Sequence, residues 1–269
     1  MSAHRALDFT FDLAVEDEPL RHALLTGLEP LRVDNASPEH CIGVVEAHDR
    51  YELREDGHLI TNVSSTGVVL ARVFEHINQR AGGMLRDQIP MHAAAVAHPT
   101  GPVVALAGSS GAGKSTLGFA TIRSGWGFVA EEISAVDPTT LALRSFHRPI
   151  GLRRGGTEAL GMAYPDDAVY ELVHPVPVEQ QHRRAGGELA AIVIVDRRKP
   201  GSGKAEPLGP AQALAELVEH CAVRDDDRIV HVFRQLDSLV RTIPAYRLSY
   251  GQPDEGVDAL EELASTMQS

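Results

Sequence analysis

Nine residues constrain this chain more than any others: Gly108-Ser109-Ser110-Gly111-Ala112-Gly113-Lys114-Ser115-Thr116. Three glycines within six positions allow a tight loop whose backbone N–H groups converge without Cβ interference, and such a loop holds an anion. The apolar run from Val103 to Ala107 ahead of it reads as a strand. The residues after it read as a helix starting at Gly113 or Lys114 and stopping at Gly125. That helix would add its positive N-terminal end to the loop. The whole matches GxxxxGK[ST], in which the lysine reaches the terminal phosphates and the hydroxyl ligates Mg²⁺. A plain glycine turn would match by chance in roughly one chain in a hundred of this length, and the strand–loop–helix context lowers that further. Lys114 is also one of only three lysines, with Lys199 and Lys204. Residues Gly108 to Thr116 are therefore expected to bind a nucleotide, ATP with Mg²⁺, with Ser115 on the metal.

The rest of the composition narrows the setting. With 269 residues and 43% apolar content, the chain can bury a substantial core. No apolar run approaches the ~18 residues of a membrane span, and Met1–Asp8 lacks the basic-then-apolar pattern of a signal peptide. A net charge of −12 disfavours nucleic acid as the main partner. Cys41 and Cys221 form neither metal spacing nor a disulfide framework, so a reducing cytoplasm is expected.

Two units are expected, 1–88 and 89–269. In the first, "ALDFTFDLAVE" alternates like a half-buried strand, and the stretch around Asp56-Gly57 reads as a hairpin. Val69, Val73 and Ile77 have helical spacing, with Gly82-Gly83 as a stop. This gives a small β-rich unit with one helix. In the second, "MHAAAVAH", "VVALAG", "GFVAEEISAVD", "LALRSF", "ELAAIVIVDRR" and "AYRLSYG" read as strands. "GPAQALAELVEHCA", "DRIVHVFRQLDSLVRTI" and "DEGVDALEELAST" read as helices, so the class is α/β.

Beyond the loop, Glu131-Glu132 close the strand after the loop helix, where a metal or a nucleophile has to be managed. Adjacent carboxylates on a strand point to opposite sides, so both can serve one site only if the backbone turns there. His92 stands among alanines on a neighbouring strand, a setting more typical of a packed or hydrogen-bonded core histidine than of a functional one. Arg148 precedes Pro149, which holds the chain extended, and an arginine there suits a phosphate clamp or an ordinary surface position. Arg153-Arg154 and Arg183-Arg184 read as solvated pairs, the latter in a stretch that could form a lid. "GSGK" at 201–204 lacks the first glycine of the motif and reads as a surface turn.

The ordered set "MHAAAV", "GSSGAGKST", "GFVAEE" and "FHRPI" resembles the HPr kinase/phosphorylase-like kinases, over roughly Pro90 to Gly151 and weakly at "AYRLSYG". The resemblance implies an α/β fold with the P-loop core of HPr kinase/phosphoenolpyruvate carboxykinase type behind a small β-rich N-terminal unit. It implies that Glu131 is the base toward an acceptor hydroxyl, with His92 tuning it and Arg148 steadying the transferred group. Glu132 would hold Mg²⁺ with Ser115, and homo-oligomers would be common. That family normally has two aspartates where this chain has glutamates, and Ser109 stands where an aspartate is frequent. No protein-substrate helix of the HPr kinase type is evident at the C-terminus, so the relatives of this length that modify peptides in natural-product pathways fit better. The expected activity is transfer of the γ-phosphate of ATP to a serine-type hydroxyl of a small peptide or small molecule. The alternative is a nucleotide-binding regulatory or assembly module with little transferase activity. Carboxykinase chemistry on a keto acid is disfavoured, since no histidine–lysine pair suited to a transition metal is evident beside the loop.

Overall fold

The structure, a computed structural model, describes residues 3–34, 36–197, 202–221 and 226–267. The chain opens with β1 (Ala3–Ala6), β2 (Phe9–Val15), α1 (Glu18–Leu28), β3 (Arg32–Val33), β4 (His40–Ala47), β5 (Arg50–Glu55), β6 (His58–Val63) and α2 (Thr66–Met84). It continues through β7 (Ile89–Met91), β8 (Ala93–Ala97), β9 (Val103–Ala107), α3 (Lys114–Arg123), β10 (Gly127–Ala130), β11 (Ser134–Val136) and β12 (Ala142–Arg144). Next come β13 (Ile150–Leu152), α4 (Arg154–Ala159) and β14 (His174–Val176). The last elements are β15 (Gly186–Val195), β16 (Ser202–Leu208), α5 (Pro210–Glu219), α6 (Asp226–Thr242), β17 (Ala245–Tyr250) and α7 (Pro253–Thr266). Helices and several sheets are interleaved, as an α/β chain requires.

The chain divides into two compact units, and the division is not the single cut expected near residue 88. Met1–Met84 is joined by Arg148–Val178, while Leu85–His147 and Glu179–Ser269 form the other unit. The return segment is built into the first unit by close packing. Gly67 sits so tightly against Ala168 O and Glu171 Cβ that a Cβ would lie 2.7 Å from each. Ser65 Oγ donates to Glu171 Oε2 at 3.2 Å. The first unit carries a sheet ordered β3-β1-β2-β4-β5-β6 and the small pair β13-β14. Its core gathers Phe9, Phe11, Leu20, Leu24, Ile42, Leu53 and Leu70. It holds two long helices rather than one: α1 is capped by Asp17, whose carboxylate accepts from Leu20 N, and α2 runs on through Gly82-Gly83 to Met84. The Asp56-Gly57 hairpin joins β5 to β6 as its dipeptide predicts.

In the second unit β8 and β9 are buried at every residue, which is why they read as unbroken apolar runs. β9, β15 and β17 run parallel side by side, while β8 lies antiparallel to β9 and β10 antiparallel to β8. Two expected strands are each split in two. "MHAAAVAH" divides at His92 into β7 and β8, and "GFVAEEISAVD" divides at 131–133 into β10 and β11. The cause is a change of partner: β8 pairs with β9 and β10, whereas β7 pairs with β11, matching Met91 to Ser134. "GSGK" is no turn where it is described. Its Ser202 opens edge strand β16, with a bulge before Lys204 as β16 pairs with β17, and Gly201 lies outside the described residues. No helix among the described residues is long and apolar enough to cross a membrane.

Candidate functional site

Strand register decides which residues of the second unit can meet. Ala93 pairs with Ala107, Ile194 with Ala107, Ala95 with Ala130 and Val195 with Leu248. The C-terminal ends of β9, β10, β15 and β17 and the start of β8 therefore lie along one edge of the sheet. Gly108, Glu131, Asp196, Tyr250 and His92 share that edge, the side on which open α/β sheets place their ligands.

The glycine loop is shaped by its neighbours. Gly108 has φ +141° and passes so close to β15 that a Cβ would lie 2.7 Å from Val195 O. Gly113 has φ +101°, and a Cβ there would lie 2.5 Å from the Tyr250 hydroxyl. That hydroxyl donates to Gly113 O at 3.1 Å. Burial pushes the phenol up to about 12, so it remains a donor across the neutral range. Ala112 N donates to Ser109 O at 3.0 Å and Arg197 N to Ala112 O at 3.1 Å, closing the loop on itself and on the end of β15. Lys114 is buried, and its ammonium donates to Gly108 O (2.8 Å) and Ser109 O (3.3 Å). The N-cap of α3 is Gly113, which has no side chain to cap the first turn, and the first amides of α3 follow directly on the loop. Ser110 and Gly111 form the exposed tip, and Thr116 is buried.

The acidic pair lies on a turn. Ile133 N donates to Glu131 O at 2.8 Å, a three-residue γ-turn centred on Glu132, whose φ is +67°. A non-glycine residue in this region costs of order 1–3 kcal/mol, and such strain gathers at functional positions. The turn separates the two carboxylates in environment while keeping both at the loop. Glu131 is 2% exposed, and its Oε1 accepts from Ser115 Oγ at 2.5 Å. Glu132 has a side chain 31% exposed, with Oε2 3.1 Å from His92 Nδ1. Burial lowers the His92 pKa from its ordinary value of 6.5, Glu132 pulls it back up, and the charges of Lys114 and His220 press it down again. His92 is thus neutral at pH 7, able to donate Nδ1–H to the Glu132 carboxylate.

Of the residues singled out in the sequence, the structure brings together the loop, Lys114, Ser115, Glu131, Glu132 and His92. The pairing differs from the one the resemblance implies: Ser115 meets Glu131 rather than Glu132, and His92 meets Glu132 rather than Glu131. Arg148 belongs to the first unit, where it is 5% exposed and its guanidinium lies 5.4 Å from the centroid of Phe74. It is therefore not a surface arginine. Arg153 and Arg154 are exposed as expected. Arg184 is tied in through its main chain, donating to Phe128 O at 2.8 Å, and its side chain packs along Gly127.

Three residues of this edge were not singled out. His220, at the end of α5, accepts from His92 N through its carbonyl at 3.0 Å. Its own pKa is lowered by burial and then by the charge of Lys114. Histidines and a lysine therefore share this end of the sheet, with the lysine engaged by loop carbonyls. Asp196 and Arg197 follow directly on β15, and an acidic or basic residue after a buried apolar strand was the signal available for them. The first unit holds a separate cluster, His40, Glu55 and Asp56, whose ligand atoms lie within 4.8 Å of one another. Both Glu55 oxygens there are already engaged, by His76 Nε2 at 2.7 Å and Arg80 Nε at 2.8 Å, so the cluster reads as an internal charge network. No protein-family model matches the sequence, and no curated protein matches it.

Proposed function

We propose that this protein is a cytoplasmic ATP- and Mg²⁺-dependent kinase that transfers the γ-phosphate to a serine-type hydroxyl of a small peptide or small molecule. The observation that carries this reading is the strained turn at Glu132, which sets one buried and one accessible carboxylate beside a glycine loop. A loop that only bound MgATP could use the buried carboxylate for the metal but would not need the accessible one. On the same reading the strand, loop and α3 form a P-loop core of the HPr kinase/phosphoenolpyruvate carboxykinase type.

The loop amides, the N-terminal end of α3 and Lys114 hold the β- and γ-phosphates. Ser115 Oγ and Glu131 Oε1 are hard oxygen donors already in contact, a set that suits Mg²⁺. Bound there, Mg²⁺ would neutralise charge on the phosphate oxygens. Glu132 is the base, because it is the exposed member of the pair and an acceptor can reach it. Its carboxylate takes the hydroxyl proton as the acceptor oxygen bonds to the γ-phosphorus and the bond to the β–γ bridging oxygen breaks, releasing ADP. His92 orients that carboxylate, and being neutral it does not draw down its basicity.

The test is incubation with MgATP and a panel of serine-containing peptides and small alcohols, followed by a mass scan for one added phosphoryl group. Product from the wild type, and none from a Glu132→Gln variant that still binds MgATP, is the expected result. Nucleotide bound with no product across the panel would favour the regulatory or assembly module instead.

A further inference from the structure

We propose that Arg197 is the second cation of the nucleotide site, contacting the phosphate chain from the Gly113 side of the loop while Lys114 contacts it from the Gly108 side. This inference rests on the nucleotide-binding reading above and adds a residue that the loop motif does not contain.

The parallel register Ile194–Ala107 carries the end of β15 past the start of the loop, leaving Arg197 against its far end. Its main chain donates to Ala112 O at 3.1 Å. Its Cδ and Cβ lie 3.2 and 3.3 Å from where a Gly113 Cβ would be. Nε is one bond beyond Cδ, so the guanidinium is held beside the residue that precedes α3. The charge is felt there: Arg197 lowers the Tyr250 pKa against the larger upward push of burial, and Tyr250 is the residue bonded to Gly113 O. The Lys114 ammonium lies at the opposite end, on Gly108 O and Ser109 O. Two cations thus bracket a loop of convergent N–H groups. Arginine suits this position because its planar fork bonds two phosphate oxygens at once. The hydrogen bond to Ala112 O comes from the backbone and survives any side-chain change, so a role in shaping the loop and a role in binding phosphate can be separated by substitution.

The experiment measures MgATP binding by calorimetry for the wild type, Arg197→Met, Arg197→Lys and, as a control, Arg241→Met, an exposed arginine paired with Asp237 on α6. The methionine variant is expected to weaken binding by about tenfold or more, the loss of a charge-assisted hydrogen bond. The lysine variant should recover most of that loss, and Arg241→Met should bind like the wild type. Melting of the ligand-free Arg197→Met protein should be unchanged. Wild-type affinity in Arg197→Met overturns the inference and leaves the nucleotide reading standing. A lowered melting temperature in Arg197→Met, with no recovery by lysine, also overturns it, as the mark of a structural residue. A wild type that binds no MgATP removes the nucleotide reading itself, and the inference with it.

Discussion

Replacing Gly113 by alanine tests how the loop is held. Its φ of +101° costs an L-residue about 1–2 kcal/mol before any contact is considered. The new Cβ would also lie 2.5 Å from the Tyr250 hydroxyl, and Tyr250 is fully buried and bonded to Gly113 O, so it has nowhere to turn. Overpacking of that kind costs about 1–3 kcal/mol, so Gly113→Ala should destabilise the protein by roughly 2–5 kcal/mol. Tyr250→Phe alone should cost only about 1 kcal/mol, because Gly113 O keeps the bond it accepts from Leu117 N at 2.8 Å. The double variant removes the clashing atom. It should therefore be more stable than the two single effects predict together, by roughly the 1–3 kcal/mol of relieved overpacking. Equilibrium unfolding in denaturant of the four proteins gives the coupling directly. Strict additivity would refute the claim that the Tyr250 hydroxyl, and not φ alone, is what demands glycine at 113.

The two glutamates should separate by assay. Glu132→Gln should bind MgATP normally and lose transfer by about 10²–10⁴-fold, whereas Glu131→Gln should show a raised Mg²⁺ requirement in initial rates; the reverse pattern would return the roles to those of the family resemblance. In Glu132→Gln the His92 pKa, followed by NMR, should fall further below 6.5, since the carboxylate that raises it is gone; a rise would show that the pair does not interact as described. Acid should destabilise the fold: His4, His92, His147, His174 and His220 all have pKa values lowered chiefly by burial. Below 6.5 the unfolded chain takes up protons that the folded one refuses, so stability present above 6.5 is lost as pH falls toward the folded values. A melting temperature that stays flat as pH is stepped down from 6.5 would contradict this.

How legible the site was depends on the range of the interactions behind each part. The glycine loop, β9 and α3 follow from local rules, a buried apolar run and then glycines where the backbone takes positive φ, and they lie where the sequence puts them. The break at His92 and the turn at Glu132 do not, because each is made by a change of strand partner. Glu131 N reaches Phe146 O at 3.3 Å, and β7 leaves β8's neighbours to pair with β11. Nothing in "MHAAAV" or "GFVAEE" encodes those partners. The same holds for the return of Arg148–Val178 to the first unit and for His220 and Arg197, which reach the edge from the ends of distant elements. Sequence alone could state the condition, that both carboxylates serve only if the backbone turns. It could not say which carboxylate would end up buried.

That turn also bears on why the pair is glutamate. Aspartate at 131 would hold its carboxylate about one C–C bond, ~1.5 Å, nearer the backbone. Glu131 Oε1 reaches Ser115 Oγ at 2.5 Å while its main chain is fixed on both sides, to Phe146 O and to Ile133 N. The backbone cannot advance to make up the difference, so Glu131→Asp should open that contact beyond hydrogen-bond range. Ser115 and the carboxylate would then no longer be close enough to share a cation. The variant should raise the Mg²⁺ concentration needed for half-maximal rate by about tenfold, the loss of one ligand contact, while binding of nucleotide without metal is unchanged. An unaltered Mg²⁺ dependence in Glu131→Asp would show that the extra methylene is incidental and that Ser115 and Glu131 do not act together on the metal.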